Sequence, residues 1–210
     1  MRTNAALILT IIILSFLIGA YFYPQMPDAF ASHWNAAGEV DSYAPKLWGL
    51  FTMPVILVII LIFIVLIPRI DPLKANIGKF REYYDTFSII VALFFFYLDL
   101  LVILWNIGVK FDLMQLLVPA FAVLLYYSGV LTENSKRNWF IGIQTPWTMS
   151  SDKVWNKTNK FCGKLSKATA IIALLGIFFP YYAVLIIAIP VIVLAVYSVI
   201  YSYIEYQRER

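Results

Sequence analysis

One cysteine and one histidine are all that the 210-residue chain offers among the side chains that most often ligate metals or carry nucleophilic chemistry. Cys162 alone closes no intramolecular disulfide and builds no multi-cysteine zinc site, which argues against redox and structural-metal roles. Charge is scarce too. Only 13% of residues are charged and 62% are hydrophobic, against about 25% and about 45–50% in ordinary soluble domains. A chain of this length cannot hide that excess in a water-soluble core whose surface still needs polar cover, so lipid must supply part of it. The net charge of +4 is small and forms no stripe suited to direct nucleic-acid contact. Nucleophile elbow, phosphate-binding loop, helical zinc motif and paired catalytic acids do not occur, nor does a repeat of fixed period. The expectation is a membrane protein that is not an enzyme and needs no metal or cofactor.

What the sequence has in abundance is long apolar runs. About 20 such residues, each rising roughly 1.5 Å, cross a hydrocarbon layer of about 30 Å. Six stretches qualify or nearly so: Ala5–Tyr23, Leu47–Ile67, Phe87–Ile107, Leu113–Leu131, Leu165–Phe179 and Tyr182–Tyr203. The spacing predicts an all-α fold, a bundle of six transmembrane helices, with the short fifth and the sixth joined as a hairpin at Pro180. Pro54, Pro119 and Pro190 lie inside spans and predict kinks. Fourteen of the sixteen lysines and arginines fall in the N-terminal tail, the second and fourth loops and the C-terminal tail, leaving only Lys46 and Lys110 opposite. Basic residues mark the cytoplasmic side. Both termini are therefore expected in the cytoplasm and the first loop outside. Ala29-Phe30-Ala31 has the form of a signal-peptide cleavage site, but the apolar run before it exceeds a signal core, so the first helix is expected to be retained.

Polar residues concentrate in two places. In the outer loop, from Pro24 to Lys46, stand His33-Trp34-Asn35 with Gly38, Glu39 and Asp41 nearby; a lone histidine among scattered acids reads either as a structural residue or as a ligand or metal contact. In the third span Asp99 shares a face with Ser88 and Asn106, and an intramembrane acid should point into the bundle, to fix packing or to serve function.

The inner segment, from Thr132 to Lys164, ends in a basic amphipathic helix. Val154, Trp155, Thr158, Phe161, Cys162 and Leu165 lie on one side, and Lys153, Lys157, Lys160 and Lys164 on the other. Ser151 is placed to cap it and Asp152 to suit its dipole. This helix is expected at the cytoplasmic interface before the fifth span, its lysines facing anionic headgroups or a protein partner. Ahead of it run Asn138, Trp139, Gly142, Gln144, Thr145, Pro146, Trp147 and Thr148, whose two tryptophans suit the headgroup layer. The chain divides at 1–68, 69–131 and 132–210.

Taken together, His33-Trp34-Asn35-x-x-Gly38 outside and the Asn138–Thr148 run with Trp155 inside resemble the SdpI family of prokaryotic immunity proteins. The Gly-Ile-x-Thr-Pro-Trp-Thr string is the more specific half. The family pattern has arginine where this chain has Gln144, and members often have histidine where it has Asn159. The resemblance implies a plasma-membrane protein that protects its host from a secreted killing peptide and holds a small transcriptional repressor at the membrane. On that basis His33, Trp34, Asn35, Gly38 and Asp99 become candidate ligand contacts, and the inner run with Trp155 a signalling segment. Two other readings stay open: a small-solute or ion transporter using Asp99, and a membrane enzyme using His33.

Overall fold

The computed structural model describes the backbone of residues 2–209 and the side chains from residue 4 onward. Arg210 and the Arg2 side chain, both counted in the charge split, lie outside the described residues. In chain order the elements are α1 (Arg2–Phe22), strands β1 (Ala29–Trp34) and β2 (Val40–Pro45), α2 (Lys46–Ile70), α3 (Lys74–Gly78), α4 (Arg81–Asn106), α5 (Leu113–Asn134), α6 (Pro146–Ser150), α7 (Asp152–Ala173) and α8 (Ala183–Glu209). Five of them, α1, α2, α4, α5 and α8, are long and apolar enough to cross a membrane. Helices satisfy their own backbone, which lipid cannot do for them.

The stretch expected as an independent fifth span is different. Leu165–Phe179 is not separate from the amphipathic helix before it; the two form one element, α7, extended by a 3-10 turn at Leu174–Ile177. The helix does not lie apart as an interfacial element. It runs antiparallel beside α5, because its inner face carries small and hydroxyl-bearing residues, Thr158, Gly163, Ser166, Thr169 and Ala170, all buried. Where the two cross, a Cβ at Gly163 would sit 2.6 Å from the Gly129 carbonyl oxygen, and one at Gly129 equally close to that of Gly163. Only glycine at both positions allows this approach.

The helices gather in two groups. In the first, α1, α2 and α4 close around Ile8, Ile11, Ile12, Leu57 and Ala92. In the second, α7 packs between α5 and α8. The groups meet along α4 and α5.

The outer loop also departs from an all-helical plan. It folds as an antiparallel hairpin, with Phe30 opposite Ala44 and Ala31 opposite Tyr43, and an irregular register between Ala31 and Trp34. Phe30, Ala31 and Trp34 of β1 are buried.

Candidate functional site

The hairpin closes the end of the first group. Phe30 is seated against Leu50, Met26 and Ile103, and Trp34 meets Trp105 edge to face at 5.5 Å. Asn106, at the end of α4, grips strand β1 from the side. Its Oδ1 accepts from the Ala31 amide (2.8 Å) while its Nδ2 donates to the Ala31 carbonyl (3.0 Å). This side chain thus takes the place of a neighbouring strand.

The His-Trp-Asn-x-x-Gly string is explained mainly by this architecture. Asn35 Oδ1 accepts from the amides of Ala37 (2.9 Å) and Glu39 (3.0 Å), the usual way in which asparagine builds a turn. Gly38 completes it with φ +80°. His33 is left facing outward, its ring 67% exposed, with Nδ1 2.5 Å from Asp41 Oδ1. Among the described residues no group of three or more His, Cys, Asp or Glu side chains could hold a metal.

Asp99 lies apart from that surface. It is buried in α4 and accepts a hydrogen bond from Ser15 Oγ of α1, so its polar contact is within the first group. Ser88, on the same face, donates to the Tyr84 carbonyl of its own helix (2.8 Å).

At the other end the Asn138–Thr148 run is a tightly bonded knot. Asn138 is fully buried, and its amide serves four backbone groups: it donates to the Lys136 and Ile141 carbonyls and accepts from the Phe140 and Ile141 amides, all at 2.7–2.9 Å. Gly142 has φ +111°, and a Cβ there would stand 2.6 Å from Asn159 Oδ1, which accepts from the Ile143 amide (2.7 Å). Thr145 and Thr148 cap α6 reciprocally, Thr145 N donating to Thr148 Oγ1 (2.9 Å) and Thr148 N to Thr145 Oγ1 (3.2 Å). Thr145 Oγ1 also donates to Ser202 of α8 (3.0 Å). Gln144 stays exposed; with its amide oriented to suit its neighbours, its oxygen accepts from Phe140 and Ile141.

The three tryptophans of this end have three different environments. Trp155 is fully buried, donating from Nε1 to the Ser135 carbonyl (3.2 Å), and so is a core residue and no interfacial anchor. Trp147 packs on Tyr203 at 5.1 Å. Trp139 is 56% exposed, but its amide donates to Asp71 Oδ2 (2.9 Å), a buried carboxylate just after α2.

Several lysines of α7 also have specific partners. Lys157 reaches Glu205 of α8 (2.7 Å), a carboxylate only 3% exposed that Arg208 also contacts (2.7 Å). Lys167 pairs with Glu133 of α5 (2.5 Å). Lys160 and Lys164 face outward. No sequence signal could have found Asp71, Ser202 or Glu205 as partners of this segment, since each arrives from a distant part of the chain.

Comparison with known proteins falls on these two ends. Residues 10–58, from α1 through the hairpin into α2, match a domain of unknown function, DUF1648. Residues 134–202, from the knot through α7 into α8, match the SdpI/YfhL protein family. The chain is 26% identical over 199 residues to Immunity protein SdpI of Bacillus subtilis (strain 168), covering 94% of this chain and 93% of that protein. No solved structure matches. The resemblance read from the two short motifs therefore extends through both ends of the fold: the chain is similar to the SdpI/YfhL protein family over residues 134–202 and to an SdpI immunity protein over nearly its whole length.

Proposed function

We propose that this is a multi-pass immunity protein of a prokaryotic plasma membrane, protecting its host from a secreted killing peptide by binding and not by catalysis. The observation that carries the reading is similarity to an immunity protein across 94% of the chain, taking in the hairpin and the inner knot together. Residues 1–68 receive the peptide. His33 with Asp41 supplies the polar contact on the hairpin's open face, which Trp34, Asn35 and Gly38 shape. Residues 132–210 report to a small cytoplasmic repressor, through an inner surface built by Asn138, Gly142, Thr145, Thr148 and Trp155 and displaying Trp139, Gln144, Pro146 and Trp147. Residues 69–131 lie between them, and Asp99 with Ser15 keeps α1 and α4 in register.

In this reading α7 is the fifth of six crossings. Trp155 meets Ser135 at one end of α5, and Gln115 near the other donates to the Ile177 carbonyl (3.3 Å), so the pair runs through the same depth. Both termini are then cytoplasmic, as the basic residues require. In intact cells Ser42→Cys should react with a membrane-impermeant thiol reagent, and Lys160→Cys only after permeabilisation; both side chains are exposed, and the native Cys162 is buried. The reverse pattern would invert the topology.

The deciding experiment is expression in cells sensitive to a purified killing peptide of this class. Survival at doses that kill the empty-vector strain is expected. Full sensitivity, with the protein present in the membrane at normal amounts, would rule out the immunity role.

A further inference from the structure

We propose that a pocket between the knot-side ends of α1, α2 and α4 holds the phosphate of an anionic phospholipid. The cavity, about 220 Å³, has Arg69 of α2 and Arg81 of α4 on its wall, with Asp85 beside them. Its remaining wall is largely apolar, with Ala5, Ile8, Ile64 and Val65 beside the polar Asn4 and Ser88. Two guanidinium groups thus face one carboxylate, above a greasy floor, at the end of three membrane-length helices.

The two arginines play different parts. Arg81 is already oriented: its Nε lies 2.7 Å from Asp85 and its guanidinium 5.3 Å from the Tyr84 ring centroid. A guanidinium has five donors, so most remain for another acceptor. Arg69 is exposed and has no carboxylate partner among the described residues. A charge so placed is available to a ligand, and planar paired donors suit a phosphate.

Size and setting select the ligand. Pockets that enclose a drug-sized molecule run to about 300–1,000 Å³, so this one takes a headgroup phosphate and glycerol, not a whole lipid. The apolar floor would meet the start of an acyl chain, which a free inorganic anion lacks. Basic pockets between transmembrane helices are where anionic headgroups settle. The inference is independent of the immunity reading.

Native mass spectrometry of the full chain in detergent, titrated with phosphatidylglycerol or phosphatidylcholine, tests the site. Retention of the anionic lipid over the zwitterionic one is expected, with Arg69→Gln weakening it about fivefold, the effect of about one basic residue at a lipid surface. Lys160→Gln, an equal charge loss on an exposed face of α7, should leave retention unchanged. Arg81→Gln also removes the Asp85 contact and risks misfolding, so Arg69→Gln is the deciding variant. Equal retention of both lipids, or no change in Arg69→Gln, would overturn the proposal. So would equal loss in Lys160→Gln, which would mean diffuse surface attraction. Displacement of the lipid by inorganic phosphate at matched concentration would make it a free-anion site, overturning the lipid assignment.

Discussion

The two helix groups solve the same packing problem by different chemistry. Around Ile8, Ile11, Ile12, Leu57 and Ala92 the first group interlocks branched aliphatic side chains, and its polar link between α1 and α4 is Ser15 with Asp99. The second group brings backbones close at Gly129 and Gly163 and adds cross-links: Ser166 Oγ to the Leu125 carbonyl (3.1 Å), Lys167 to Glu133, Lys157 to Glu205 and Thr145 to Ser202. In lipid, apolar side chains gain little by leaving one greasy surface for another, so close approach and polar contacts determine which helices associate. The first group has a shape that fits; the second has a shape that tolerates few alternatives.

The largest effect should come from prying the second group open. Gly163→Leu would drive a side chain into the Gly129 carbonyl and the Glu133 backbone nitrogen, 2.6 and 2.8 Å from its Cβ. Neither can swing away, so the loss should exceed the about 1–3 kcal/mol of ordinary overpacking, read as a collapse of the thermal midpoint in detergent. A normal midpoint would mean that α5 and α7 are not in contact there. Gly142→Ala comes next. It forces a non-glycine residue to φ +111° and crowds Asn159, for which about 1–3 kcal/mol is expected, together with faster amide exchange of Ile143.

A subtler variant separates specific from diffuse charge in α7. Lys157→Gln strips one of two partners from the nearly buried Glu205 and should lower the midpoint more than Lys160→Gln, whose side chain faces outward. Equal midpoints would reduce both lysines to surface charge. In the first group, Ser15→Ala should cost only about 0.6 kcal/mol, the average for a hydrogen bond between transmembrane helices. A loss several times larger would show that Asp99 matters to the first group as much as the cross-links do to the second.

How far the sequence reveals this differs between the groups for the same reason. Spans α1, α2, α4, α5 and α8 are legible because lipid-facing residues raise hydropathy over a whole window. The register is coarser: α4 starts at Arg81 and not Phe87, since the Arg81–Asp85 pair and two tyrosines carry the helix beyond the apolar run. In α7 the residues that seat it on α5 are glycine, serine and threonine, which lower hydropathy, so it reads as two weak elements. The hairpin escapes notice because its alternation breaks at the irregular register near His33, although Asn35 and Gly38 mark its turn. Asn138 and Thr145 are legible as members of a motif, but their partners are not. Each carries a short polar side chain whose local backbone bonds have no periodicity.

Helix α2 is also a rod with a fitting at each end. Near its start, Gly49 leaves room for the Phe30 ring, which a Cβ would meet at 2.2 Å. Beyond its end, Asp71 holds the Trp139 amide at 2.9 Å. Gly49 and Asp71 are 22 residues apart, which at about 1.5 Å per residue puts these fittings some 33 Å apart. A tilt of this rod moves the floor of the hairpin and the anchor of the knot together, in opposite directions about the midpoint. Bending would uncouple them, and the helix has two prolines, each lacking an amide hydrogen: Pro54 about a third of the way along and Pro68 two residues from its end. The stretch between them, from Val55 to Ile67, has neither proline nor glycine and turns as one piece.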